Sequence, residues 1–106
     1  MRKGFCVTTK EEMKAIKEAC FEYGVKVRER LEEKNYGTQT VRLRLGRCIE
    51  NKQYNQVFDL ILSLALRSDL FLPRELADSF MDDERFGFAS RMYLAGLTQK
   101  PNETEE

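Results

Sequence analysis

Apolar residues recur at three- and four-residue steps along most of this chain, and inside that pattern a single proline, Pro73, breaks the rhythm. Such spacing gathers the apolar side chains on one face of a helix, whereas a strand would scatter them over both of its faces. Two prolines, Pro73 and Pro101, no Gly/Ser-rich linker and an abundance of Glu, Lys, Arg, Leu and Ala favour helix as well. The chain is therefore predicted to be all-α, a compact bundle of about five helices. Its 106 residues suit one domain, over 1–98. Residues 99–106 are polar and are predicted to form a disordered tail.

Local signals set the expected boundaries. Residues 1–8 read as an extended lead-in. Thr9 with Glu12 three residues later is a capping box, opening a first helix to about Lys34. Its stripe is Met13, Ile16, Cys20, Tyr23, Val27 and Leu31. Gly24 weakens that helix by ~1 kcal/mol relative to alanine, so it marks either a close helix crossing or a bend. Asn35 or Gly37 supplies a left-handed stop. Thr38 or Thr40 caps a second helix, about 40–50, which buries Val41, Leu45, Cys48 and Ile49. A third, about 53–68, carries Val57, Phe58, Ile61, Leu62, Ala65 and Leu66; Leu60 and Leu64 widen its apolar face, which predicts the central helix. Pro73 starts a fourth, packing through Leu76, Phe80 and Met81. Asp82 or Asp83 caps a fifth, about 84–97, with Phe86, Ala89, Met92 and Tyr93 inward and Phe88 and Leu97 as further candidates. Gly96 either ends that helix or permits a tight contact.

Chemistry is sparse in this composition. There is no histidine, so the usual general base near neutral pH is missing. The three cysteines, Cys6, Cys20 and Cys48, show no C-x-x-C spacing, and Cys20 and Cys48 fall on the apolar stripes. The glycines are single, so no phosphate loop is present. Asp82-Asp83-Glu84 reads as a helix cap with first-turn charge rather than as a metal site. The expectation is a non-enzyme without a cofactor or metal. An odd cysteine count, no secretory h-region and no apolar run near the ~18 residues of a membrane span point to a reducing cytoplasm.

A net charge of zero conceals a split. Residues 25–52 hold eight basic side chains against four acidic ones, and residues 68–106 hold four against nine. Within the basic stretch, Arg42, Arg44 and Arg47 crowd the second helix. Arg44 and Arg47 lie about 60° apart around its axis, with Arg42 on the other side of the exposed surface. Lys26 and Arg30, four residues apart on the first helix, form a second cluster. With Lys52 these six residues are the candidate nucleic-acid contacts: arginine offers forked donors and lysine a point charge to backbone phosphates. Such binding is sequence-independent and salt-sensitive. Tyr36 and Tyr54, near the ends of the second helix, can stack on unpaired bases or pack against the helix ends.

The series Val41-Arg42-Leu43-Arg44-Leu45, Tyr54, Phe58, Ile61-Leu62, Leu72-Pro73, Phe80, Glu84-Arg85-Phe86 and Tyr93-Leu94-Ala95-Gly96-Leu97 resembles the helical C-terminal part of type I CRISPR large subunits, the I-B group especially. In those systems this segment also occurs as a separate small subunit. The resemblance spans about residues 40–97. It implies a non-catalytic subunit of a Cascade RNA-guided surveillance complex, packed in several copies head to tail against the backbone and large subunits. Its implied ligands are guide RNA and target DNA, as the guide–target heteroduplex or the displaced strand. Zero net charge departs from the strongly basic small subunits of that kind. The rival expectation is a helical protein-interaction module or phage-encoded regulator without nucleic-acid binding, whose acidic half mimics nucleic acid or docks a basic partner.

Overall fold

The computed structural model describes residues 9–98. Among them there are five helices and no strand: α1 (Lys10–Glu33), α2 (Gln39–Glu50), α3 (Tyr54–Ser68), α4 (Arg74–Met81) and α5 (Phe86–Thr98). The expected lead-in, Cys6 and the polar tail lie outside the described residues.

The capping box of α1 is formed: Glu12 N donates to Thr9 Oγ1 at 3.0 Å, and Thr9 N donates to Glu12 Oε1 at 3.1 Å. Three helices then stop in one way. Asn35, Lys52 and Asp69 each adopt a left-handed φ, of 58°, 54° and 58°. The following amides fold back, Tyr36 N to Leu31 O, Gln53 N to Cys48 O and Leu70 N to Ala65 O, at 2.9–3.1 Å. This satisfies carbonyls that a helix end leaves open. Asn35 rather than Gly37 is thus the stop of α1. The turn after α2 is made by Lys52, which sequence had not singled out for that role. Pro73 precedes α4 as its N-cap. Asp82 Oδ2 accepts from Glu84 N and Arg85 N, both at 3.0 Å, just ahead of α5.

The spine of the bundle is the α1/α5 pair, the most extensive helix–helix packing in the molecule. The two run in the same direction: Lys17 Nζ sits 5.7 Å from the Phe88 ring centroid, and Arg28, eleven residues on, reaches Leu97 O and Thr98 O. Their crossing falls at Gly24 and Gly96. A Cβ on Gly24 would land on the Tyr93 carbonyl oxygen, and one on Gly96 on the Phe21 carbonyl oxygen. Gly24 therefore marks a crossing and Gly96 a tight contact.

The core closes around this crossing. Cys20, Val27, Leu31, Leu45, Val57, Ile61, Phe80, Tyr93 and Leu97 are fully buried. Tyr93 stacks on Tyr23 at 5.9 Å between centroids and meets the edge of Phe80 at 5.7 Å. Such pairs add to area burial.

The expectation that α3 is central does not hold. Its Leu62 is 38% and its Leu66 79% exposed, and its buried face is Val57, Ile61, Leu64, Ala65 and Ser68. Met81 of α4 is also exposed, and Met92 and Phe88 are half-buried. In α5 the exposed positions are Arg91, Ala95 and Thr98 alone. Small residues, Gly87, Ala89, Ser90 and Gly96, let neighbours come close on nearly every side of α5, while Phe86, Tyr93 and Leu97 fill the core beside them. Close approach at Gly96 together with buried aromatic bulk made α5 the middle helix, and leucine content alone did not.

Candidate nucleic-acid interface

Helix α2 is anchored through Leu45, Cys48 and Ile49 and packs on α3 and α5. Gly46 faces α5, where a Cβ would meet Leu94 Cδ2 at 3.6 Å. Arg44 and Arg47 are left on the exposed side, with Leu43 beside them, 67% exposed. Among the described residues neither arginine's side chain enters a hydrogen bond or ion pair. Glu50 is the one acid on the helix. Arg44 also lines a shallow cleft between α2 and α3 with Cys48, Gln56, Asp59 and Leu60. Arg42 is half-buried, and its Nε is shielded from solvent without an acceptor.

The other candidates are placed differently. Lys52 lies in the turn after α2 and borders an open depression with Gln53, Tyr54, Asn55, Gln56 and Asp83. Lys26 is exposed on α1. Arg30 is exposed as well, but its Nη1 donates to Ser68 O at 3.2 Å, at the C-terminal end of α3. Lys34 completes that cap, donating from Nζ to Arg67 O at 2.7 Å and to Asp69 Oδ2 at 2.6 Å. This hydrogen bond, helped by the Lys34 charge, holds the Asp69 carboxyl below its usual range. Cations suit a helix C-terminus, where unpaired carbonyls carry partial negative charge. The six candidates thus divide between α1 and α2, and the free cationic surface concentrates on α2. Both tyrosines are engaged in packing: Tyr54 stacks on Phe86 at 4.2 Å between centroids, and the Arg67 guanidinium lies 5.1 Å from the Tyr36 centroid.

Sequence reasoning passed over Arg28. It is buried, donates from Nη1 to Leu97 O at 2.8 Å and to Thr98 O at 3.3 Å, and pairs through Nε with Glu32 at 2.9 Å. It thereby closes the C-terminal end of α5. The signal was available in its position one turn after Gly24, on the strip that crosses α5.

Reactive groups are few. Burial pushes the Cys20 thiol up to about 12, so no thiolate forms near neutral pH. Burial likewise pushes the Tyr23 hydroxyl up to about 12. Tyr93 is raised further, by burial first and then by Tyr23. Among the described residues no group of three His, Cys, Asp or Glu is arranged to hold a metal, and no helix is long and apolar enough to cross a membrane. Comparison with protein-family models, curated proteins and solved structures finds no match for this chain.

Proposed function

We propose that this protein is a non-catalytic cytoplasmic module that grips the phosphate backbone of a nucleic acid, working as a small subunit of a CRISPR RNA-guided surveillance complex. The observation that carries the reading is the outer face of α2, where Arg44 and Arg47 stand exposed and unpaired among the described residues. Arg42, Lys52 and Lys26 extend the cationic surface, and Arg30 adds its charge while capping α3. The Cascade assignment adds the resemblance over residues 40–97. It supplies the partners: guide RNA, target DNA, the backbone and large subunits, and further copies of the chain. A small helical bundle with two arginines per exposed face binds weakly alone. Repetition along an array raises the effective concentration of such sites.

The test is titration of fluorescent single-stranded DNA and of an RNA–DNA heteroduplex with the free protein and its assembled complex at graded salt. Arg44→Glu with Arg47→Glu is expected to weaken binding and to lower the salt slope by about one per lost phosphate contact. An unchanged affinity and slope rejects the α2 face.

A second reading has its own support. Leu66 and Phe71 are 79% and 84% exposed near the C-terminal end of α3, which suits a protein-interaction module or regulator. Nuclease-treated pull-downs that recover partner proteins undiminished, together with an unchanged salt slope above, would favour it.

A further inference from the structure

Helix α3 attaches to the bundle through Val57, Ile61, Leu64, Ala65 and Ser68. At about 100° per residue, Leu62, Asn55, Leu66 and Asp59 fall within an arc of about 60° on the opposite side. All four are exposed. Leu62 and Leu66 stand one turn apart, so they form a short apolar ridge that the bundle leaves uncovered. Phe58, one turn before Leu62 and half-buried, widens it. Ser63 and Arg67, also exposed, follow Asp59 around the same flank of this ridge.

The charges beside the ridge complement each other within one helix. Asp59 and Arg67 stand four residues either side of Ser63, about 6 Å along the axis in each direction. Among the described residues neither side chain enters an ion pair, although Arg67 lies over the Tyr36 ring. Two copies of α3 laid parallel would set Asp59 against Asp59 and Arg67 against Arg67. Laid antiparallel about a two-fold axis at Ser63, each copy brings its Asp59 level with the Arg67 of the other. Both charges lie to the same side of the leucines, as a two-fold axis requires. The same register interleaves the apolar side chains. Leu62 of one copy falls about 3 Å along the axis from both Leu62 and Leu66 of the other, in the gap between them. Ser63, at the axis, is small enough for the helices to approach. A net charge of zero leaves little long-range repulsion between copies.

We propose that the outer face of α3 docks a second copy of this chain, antiparallel about Ser63, with Leu62 and Leu66 interleaved and Asp59 of each copy paired with Arg67 of the other. The contact closes on itself, unlike head-to-tail packing, and stands apart from the phosphate-binding reading. Helix α3 is about 22 Å long, so one face per copy buries less than the ~800 Å² per partner of a standard interface. The pair is therefore weak, with a Kd on the order of 100 μM.

Sedimentation equilibrium of the full chain under reducing conditions, from about 10 μM to 1 mM, tests it. The weight-average mass is expected to rise from 12.5 kDa toward twice that value. Asp59→Arg and Arg67→Asp each set like charges face to face and are expected to weaken association at least about tenfold at low salt. Mixing D59R with R67D sets two arginines opposite two aspartates and is expected to restore the parent's association. Leu66→Glu, at a position 79% exposed, is expected to leave the chain monomeric with an unchanged thermal melt. A chain that stays monomeric throughout overturns the proposal. Association that D59R and R67D leave unchanged overturns it as well, as does a mixture no stronger than its components.

Discussion

Replacing Gly24 or Gly96 by alanine tests whether the α1/α5 crossing governs the stability of the bundle. In a free helix alanine is favoured over glycine by about 1 kcal/mol, so the local effect supports the variant. Packing opposes it. A Cβ on Gly24 falls on the Tyr93 carbonyl oxygen and lies 2.9 Å from Leu97 N; one on Gly96 falls on the Phe21 carbonyl oxygen and lies 3.0 Å from Val25 N. These obstacles are backbone atoms, which cannot rotate away, so the two helices must separate. Separation loosens Cys20, Val27, Tyr93 and Leu97, all fully buried. Overpacking costs about 1–3 kcal/mol, and the upper end applies where backbone must move, which leaves a net loss of about 2 kcal/mol after the helix gain. In a domain of this size that is a fall in Tm of about 8–16 °C. Thermal melts followed by far-UV circular dichroism read it directly. Gly46→Ala calibrates the series, since its Cβ meets only Leu94 Cδ2 at an ordinary 3.6 Å. It is expected to gain about 0.5–1 kcal/mol. If G24A and G96A melt at or above the parent while G46A behaves as expected, close approach is not what these glycines provide.

Three further outcomes follow from single groups. Arg28→Met leaves the Leu97 and Thr98 carbonyls unpaired and is expected to lose about 1–3 kcal/mol in urea denaturation; an unchanged midpoint would show that water replaces the guanidinium. Lys52→Gly relieves a left-handed φ of 54° and is expected to gain about 0.5–1 kcal/mol, whereas a loss would mean that the lysine side chain contributes more than the strain removes. Alkaline pH should destabilise the fold: the Cys20 thiol rises from 9.0 to about 12 and the Tyr23 hydroxyl from 10.0 to about 12, with Tyr93 raised in the same direction. The folded state holds protons that the unfolded chain releases. This contribution is therefore complete below about pH 9 and is lost as pH rises toward about 12, and a flat urea midpoint across that range would contradict it.

Helix existence was legible because three-residue and four-residue spacing is a property of neighbours in sequence. The capping box at Thr9, Pro73 before α4 and Asp82 before α5 were legible for the same reason, since each signal acts within a few residues. Which face of α3 would be buried was not. Leu62 and Leu66 fit the 3.6-residue stripe as well as Ile61 and Ala65 do. Only the arrival of α2 and α1 on one side decides between them. The left-handed stop at Lys52 was equally hidden, because lysine carries no preference for that conformation.

The charge surplus of residues 25–52 shows why a cationic count overstates a cationic surface. Helices α3 and α5 both end against α1, and each end presents carbonyls with no helical partner. Arg28 answers the end of α5, and Arg30 and Lys34 answer the end of α3. Three of the eight basic residues in the stretch are thus tied to the fold. Arg28 and Lys34 also pair with Glu32 and Asp69, so that much of their field is cancelled locally. Helix α2 escapes this because its outer face meets no helix end and carries one acid, Glu50. An incoming polyanion would therefore meet two exposed arginines on α2, with Lys52 at its end, rather than a band of eight charges. On the phosphate-binding reading, that difference accommodates a net charge of zero, since binding strength would come from repetition of a small patch.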